Sequence, residues 1–367
     1  MAACVAADRT KAAGSLWHPA QDIERQWSYC SYMIMNFFKP AARETPDIAI
    51  DFGTANTRVV VPGFGVVFDE PSLCCYSLDD VRPRLIAAGN DALPMLDRTG
   101  RSGRIARPLA RGVLDDISAG REMLRYAVAR SGVTRRIGSL RAVIGIPADA
   151  TQAEANALVT TARDAGLRHV QLIAEPLAAA IGMGLPVSAS NGSMIIECGA
   201  GTTEVVVLSM GAICLRRSVR LGGLALDAAI AEHMLFRHKL LIGAATAERL
   251  KLEVVRLAGP SNDRIAVKGC SVVHRGPAMI EIARRELEMI VERHAMSIVA
   301  VVRDALNETP PELSRDIHDN GIMLTGGSAA IGIIEQAVRE GTGLATHVAE
   351  DALHCVVNGL CAAAWRL

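Results

Sequence analysis

The chain has 367 residues, 39 basic and 39 acidic, and half of it is hydrophobic. Zero formal charge and a pI near 7.1 argue against a dedicated nucleic-acid binder, which carries a basic excess, and the length suffices for two lobes or one large α/β unit with a real core. Mean hydropathy is positive, +0.24, yet no stretch of about 18 residues is apolar and uncharged enough to span a bilayer, which leaves a membrane-surface protein open.

Residues 1–46 differ in chemistry from the rest. Trp17, Trp27, Tyr29, Tyr32, Phe37 and Phe38 all fall there, although aromatics make up only 4% of the chain. Residues 27–39 fit a short amphipathic helix: Trp27, Cys30, Ile34, Phe37 and Phe38 share one face at 100° per residue. Arg25, Lys39 and Arg43 flank it, and Pro40 ends it. Asp8, Lys11, Asp22 and Glu24 break up any signal-peptide core. A start at Met33 or Met35 would give the N-terminus MIMNFFKP or MNFFKP. The nine cysteines contain no CxxC pair, so reduced core thiols are expected rather than a zinc site or a disulfide framework.

From Asp47 the pattern is globular. Strands are expected at 47–52, 58–62 and 64–68, a helix at 118–130, a buried strand at 141–146 closed by Pro147, and helices at 151–165 and 175–184. Two further strands, 193–198 and 203–208, surround a Gly-rich turn. Helices follow at 224–238 and 246–256, then a weak strand region at 264–273 and a long helix over 278–306. A strand at 321–325, a helix near 330–340 and a last helix near 352–365 complete the chain. The unit at 50–60, an acidic strand end followed by a Gly/Thr turn and a returning strand, recurs at 196–207, as if one α/β lobe had been duplicated.

Those two turns read D-F-G-T-A-N-T (Asp51–Thr57) and E-C-G-A-G-T-T-E (Glu197–Glu204). Glycine permits close approach of backbone N–H groups to phosphate oxygens, and a carboxylate at each strand end can hold Mg²⁺ through water. A third turn, T-G-G-S-A (Thr325–Ala329), leads into a helix whose N-terminus favours anions. There is no Walker A sequence, so a P-loop is not expected. On spacing alone Glu175 reads as a helix N-terminal carboxylate, and Glu248, Arg249 and Lys251 as a solvated helix face.

From Asp47 to the C-terminus the sequence resembles the MreB branch of the actin superfamily. The stretches that carry the resemblance are IDFGTANTRVVVPGFGVVFDEPS, IARPLARGVLDD, QLIAEPLAAAIGMGLPV, GTTEVVVLSMGAI, LIGAATAERLKLE, TPPELSRDIHDNGIMLTGG and ATHVAEDALHCVVNG. It implies a duplicated, ribonuclease H-like α/β fold with two lobes around an ATP cleft. The lobes would be 47–190 and 191–349, with the C-terminal helix (about 350–367) returning to the first, after an extension over 1–46. The resemblance implies filaments of the chain itself on the inner face of the cytoplasmic membrane, where they guide cell-wall elongation proteins and cell shape. No nucleic-acid partner is implied.

By the same resemblance Asp51 and Glu197 would face Mg²⁺. Gly53, Thr54, Ala55 and Asn56 would surround the phosphates of ATP, with Gly199, Ala200, Gly201, Thr202 and Thr203 as the second loop. Glu175 would position the attacking water, with Thr202 or Thr203 close to it. Glu248, Arg249 and Lys251 would form the base and ribose side, and Gly326, Gly327, Ser328 and Ala329 the third wall. Trp27, Ile34, Phe37 and Phe38 would contact the membrane, together with the loop Ser131–Leu140.

The second loop departs from the family pattern. Glu197 stands where Asp is usual and Ala200 where Gly is usual, and in the third loop Ser328 stands where Gly is usual; Ala200 would be strained if its φ were positive. Gly222-Gly223-Leu224-Ala225 lacks two acids of the family's stretch. A slow filament-coupled ATPase is therefore set against a non-hydrolysing membrane scaffold. A small-molecule kinase of the same superfamily would need an inserted substrate pocket that is not seen, and a chaperone ATPase would need a substrate region after Leu367.

Overall fold

The computed structural model describes residues 47–78, 83–133, 140–256 and 264–365. The chain divides into two units, Met1–Ala42 and Arg43–Leu367, and every described residue belongs to the second. The helix expected at 27–39, with Trp27, Ile34, Phe37 and Phe38, lies outside the described residues.

Two five-stranded sheets share one topology. In the first, Ile48–Phe52 is central and wholly buried. It pairs in parallel with Leu140–Ile146, which pairs in parallel with Leu167–Ala174. On its other side lie the antiparallel strands Asn56–Val61 and Gly65–Pro71. In the second sheet, Ser193–Cys198 takes the central place. Ile322–Thr325 and Thr346–Val348 follow in parallel on one side, with Thr203–Ser209 and Ala212–Val219 antiparallel on the other. Parallel crossovers need helices to cover the sheet faces. Ile117–Arg130 and Gln152–Asp164 supply them in the first half, and Arg284–Glu308 and Gly332–Thr342 in the second.

The long helix begins at Arg284, not at 278. Gly276–Ala283 is a strand that pairs residue for residue with Arg264–Ser271. Its inward residues Ala278, Ile280 and Ile282 alternate with more exposed neighbours, a period of two that a short apolar run hides from a helical reading. Leu167–Ala174 and Ala212–Val219 were not expected as strands. The first carries Arg168, His169 and Gln171, and the second is only half buried throughout, so neither shows a clean apolar alternation.

No helix among the described residues is long and apolar enough to cross a membrane. Of the loop Ser131–Leu140, residues 134–139 lie outside the description. Leu140 is fully buried and Val133 packs on the first core, so neither is a free apolar contact. Cys74, Cys75, Cys198 and Cys355 are buried free thiols, whereas Cys270 is exposed.

The helices Glu175–Gly182 and Cys355–Trp365 pack backbone against backbone. A Cβ on Gly182 would fall 2.0 Å from the Cys355 carbonyl oxygen, and one on Gly359 would fall 1.6 Å from that of Ala178. Gly359→Ala must push the two helices apart, and overpacking of this kind costs about 1–3 kcal/mol. Its melting temperature should fall by several degrees, whereas Gly332→Ala, with open space around it, should melt like the parent. Equal melting of the two variants would refute the tight crossing.

Candidate functional site

Both hairpin turns are closed in the same way. The Gly53 N–H donates to the Asn56 carbonyl at 3.0 Å, and the Gly199 N–H donates to the Thr202 carbonyl at 2.9 Å. The turns meet. A Cβ on Gly201 would lie 2.7 Å from Thr54 Oγ1 and 3.0 Å from the Gly112 nitrogen, and the Gly112 N–H donates to Thr54 Oγ1 at 3.1 Å. The third turn abuts the second. Gly326 has φ +86°, and a Cβ there would sit 2.4 Å from the Cys198 carbonyl oxygen, while Ser328 Oγ donates to the Gly199 carbonyl at 3.3 Å. Thus Gly53–Asn56, Gly199–Thr203 and Gly326–Ala329 form one contiguous wall.

Ala200 is not strained: it is absent from the positive-φ residues among those described. The close approach is carried instead by Gly222, whose Cβ would fall 2.3 Å from the Ala200 carbonyl oxygen. The side chain of Thr203 is already committed, because its buried hydroxyl donates to the Leu221 carbonyl at 2.7 Å. Thr202 Oγ1 lies beside the Gly112 turn, so of the two threonines it is the one facing the junction of the loops.

The hairpins differ in their charges. Asp51 stands opposite Arg58, whose Nη1 donates to Asp51 Oδ2 at 3.0 Å and whose Nε lies 3.2 Å from Asp69 Oδ2. In the second hairpin Glu197 stands opposite Glu204, and like charges directly opposed across a strand pair repel. Glu175, the first residue of Glu175–Gly182, completes the group: the three glutamates each bring a carboxylate oxygen within 4.8 Å of the others. A Cβ on Gly145 would press on Glu175 Cγ at 3.0 Å, so this glycine leaves the glutamate its room.

Burial, then Glu197 and Asp51, push the Glu175 carboxyl well above the ordinary range. Burial, then Glu204 and Asp51, do the same to Glu197. Glu204 is raised to about 8 by burial and Asp149, against the pull of backbone N–H donors from Ala148 and Asp149. Asp51 is also raised, because its burial outweighs Arg58. Glu197 Oε2 is buried with no hydrogen-bond partner. An orphaned oxygen among hard carboxylate donors fits a divalent ion of the Mg²⁺ kind. Sequence reasoning passed over Glu204; the signal was its register opposite Glu197, matching Arg58 opposite Asp51.

Helix Ala244–Arg256 does not bring its three expected residues together. Lys251 Nζ bonds Asp227 Oδ2 at 2.9 Å and the Gly223 carbonyl at 3.4 Å, near Ser328. Glu248 belongs to the same charge group, with Asp227 and Arg107. Arg249 turns away to the Ala266 carbonyl at 3.2 Å and to Glu253, as residues two apart on a helix must diverge. A cavity of about 470 Å³ opens on the hairpin tips Thr54 and Gly201 and on Arg104, Arg107, Arg111 and Arg220. None of the three glutamates lines it.

The model of the MreB/Mbl protein family matches residues 45–366. The cell shape-determining protein MreB of Escherichia coli K12 is 39% identical over 317 residues, covering 85% of this chain and 91% of that protein. The cell shape-determining protein Mbl of Bacillus subtilis is 34% identical over 314 residues, covering 85% and 94%. The crystal structure of MreB 5 of Spiroplasma citri bound to AMPPNP superposes with a TM-score of 0.81 at 31% identity, covering 86% of this chain and 95% of that one. With this match and the duplicated sheets, the chain belongs to the MreB/Mbl family of actin-like cytoskeletal, cell-shape-determining proteins.

Proposed function

We propose that the chain binds ATP with Mg²⁺ between its two glycine hairpins and polymerises into filaments of itself on the inner face of the cytoplasmic membrane, where they organise cell-wall elongation. The meeting of the turns Gly53–Asn56 and Gly199–Thr202 above the glutamate cluster carries this reading, because it joins backbone donors for phosphate to carboxylates for a metal. The nucleotide-bound state of the S. citri relative supports it. Glu197 and Asp51 would hold the ion, which when bound neutralises phosphate charge.

The chain's own residues then do the following. Backbone N–H groups of the three turns orient the phosphates. Glu175 takes a proton from a water that attacks the γ-phosphorus as the bond to the β-phosphate oxygen breaks. Burial and the neighbouring carboxylates favour its protonated form, which cannot accept a proton, so offsetting that negative charge frees it to act and ties hydrolysis to the loaded cleft. Lys251 and Glu248 would border the ribose, and Arg249 would not. The unstrained backbone at Ala200 removes one reason to expect a dead ATPase.

Glu175→Ala should lower phosphate release about 10²-fold or more, with binding of a fluorescent ATP analogue within about threefold. Unchanged release would remove Glu175 from the reaction. Polymers on anionic liposomes without release by the parent would indicate the scaffold form. Absence of polymers with any nucleotide, by electron microscopy, would refute the proposal itself.

A second outcome concerns pH. The Glu204 carboxyl rises from 4.5 to about 8, so the folded protein binds more protons than the unfolded chain between those values. Stability of the nucleotide-free protein should therefore fall as pH rises from about 5 to 8. Melting should drop by several degrees across that window, and Glu204→Gln or added Mg²⁺ should flatten the fall.

Membrane attachment rests on the aromatic face of residues 27–39 and its flanking basic residues. Deleting residues 1–39 should abolish co-sedimentation with anionic vesicles, and retention would assign the contact elsewhere.

A further inference from the structure

A second cluster of ligating side chains lies away from the nucleotide cleft. His233 and His238 occupy the last turns of helix Gly223–His238, and Glu286 the first turn of helix Arg284–Glu308. His233 Nε2 is 3.1 Å and His238 Nε2 2.8 Å from the same oxygen, Glu286 Oε2. The imidazoles meet edge to face at 5.8 Å, and the three ligand atoms lie within 4.8 Å of one another.

We propose that His233, His238 and Glu286 form a binding site for a borderline divalent transition metal of the zinc class. Zinc bonds of about 2.0–2.2 Å to nitrogen and oxygen place tetrahedral ligand atoms about 3.4 Å apart. The two nitrogen–oxygen separations are already close to that edge, so small rotamer changes admit the ion. Two imidazoles and one carboxylate are a donor set that favours zinc over the hard ions held by oxygen alone.

The surroundings leave Glu286 available. Its other oxygen, Oε1, accepts from the Ala283 N–H at 3.4 Å, which holds the carboxylate in place. The adjacent cations are engaged elsewhere: Arg284 Nε lies 3.0 Å from Glu288 Oε1, and Arg285 bonds Glu292. All three ligand side chains keep 21–30% exposure, enough for an ion to enter and for water to fill a fourth position. In the metal-free protein an Nε2–H of each imidazole can donate to Glu286. On metal binding each neutral ring gives its Nε2 proton to water and takes one from water at Nδ1, with no net proton release, and the carboxylate stays ionised.

Between the two helices the chain runs through the paired strands Arg264–Ser271 and Gly276–Ala283. An ion here would tie the end of one helix to the start of the other across the base of that small sheet. It would rigidify the sheet's junction without touching the hairpins.

The test is zinc titration of the full, tag-free chain against a chromophoric chelator, with cobalt as a spectroscopic probe. The expected result is one zinc equivalent that is lost, or weakened at least about tenfold, in both His233→Ala and His238→Ala. Cobalt should give four-coordinate visible bands that vanish in the same variants. Unchanged melting of each variant in chelator would establish that it is folded, and Glu286→Gln, which keeps shape, serves where an alanine variant is not. Zinc bound equally by parent and variants, at the cleft glutamates or at cysteines such as Cys270, would overturn the proposal. So would no binding at all, which leaves the trio a plain hydrogen-bonded pair of histidines on a glutamate.

Discussion

The mutual repulsion of Glu175, Glu197 and Glu204 is the constraint around which the cleft is arranged. Three carboxylates within 4.8 Å of one another cannot all be charged in a low-dielectric setting without a counter-charge. The fold supplies partial relief at Glu204, through backbone N–H donors at residues 148 and 149 and the charge of Arg216. Glu197 Oε2 has no partner. Such a site is stable as protons or as a cation complex. It therefore couples proton binding, metal binding and the position of helix Glu175–Gly182, which carries the third carboxylate.

Duplication explains why this charge sits on one side. The two central strands and their returning partners share register and turn geometry, so Asp51 corresponds to Glu197 and Arg58 to Glu204. One exchange of sign gives the first hairpin an internal counter-charge, Arg58, shared between Asp51 and Asp69, and leaves the second without one. A duplicated scaffold thereby gives a cleft with one wall whose carboxylate has a counter-charge within its own hairpin and one wall whose hairpin has none. The equivalence of Thr57 and Thr203 shows the other half of this logic. Each hydroxyl ties its hairpin to the segment that follows the third strand of its own sheet, at Ser72 and at the Leu221 carbonyl, so these threonines fix the turns and leave chemistry to the carboxylates.

How much of this was legible in the sequence follows from what each pattern encodes. The central strands, the three glycine turns and the helices Ile117–Arg130 and Gln152–Asp164 announce themselves by apolar runs and turn residues, and the structure adds the caps Asp116 and Thr151. The edge strands Leu167–Ala174 and Ala212–Val219 did not, because one face and one edge meet water or polar neighbours, and Leu167–Ala174 accordingly mixes charge into its run. The apolar segment 278–282 satisfies both periods, and only its pairing with Arg264–Ser271 decides between them. At the site, residue types were readable and pairings were not. Arg58, Glu204 and Gly112 gain their roles from partners far away in the chain or directly across a hairpin. The divergence of Arg249 from Lys251 is simple helix geometry, legible once the helix itself is accepted.

The scarcity of aromatic residues after residue 46 has a structural counterpart. The contacts that fix the cleft are approaches of backbone to backbone: Gly359 on Ala178, Gly222 on Ala200, Gly326 on Cys198. A ring at any of these places would hold the loops apart by several ångströms. Close approach needs glycine and alanine beside β-branched strands, a composition that is both apolar and ring-poor. Among the described residues, high hydropathy therefore reflects tightly crossed small-residue elements, and no helix of them is long and apolar enough to cross a membrane. The same geometry makes the cleft stiff, since a turn held by main-chain contacts has few side-chain rotamers through which to relax. Stiff loops around a charge-repelled cluster mean that relief must come from an ion or a proton entering, and much less from the loops moving aside.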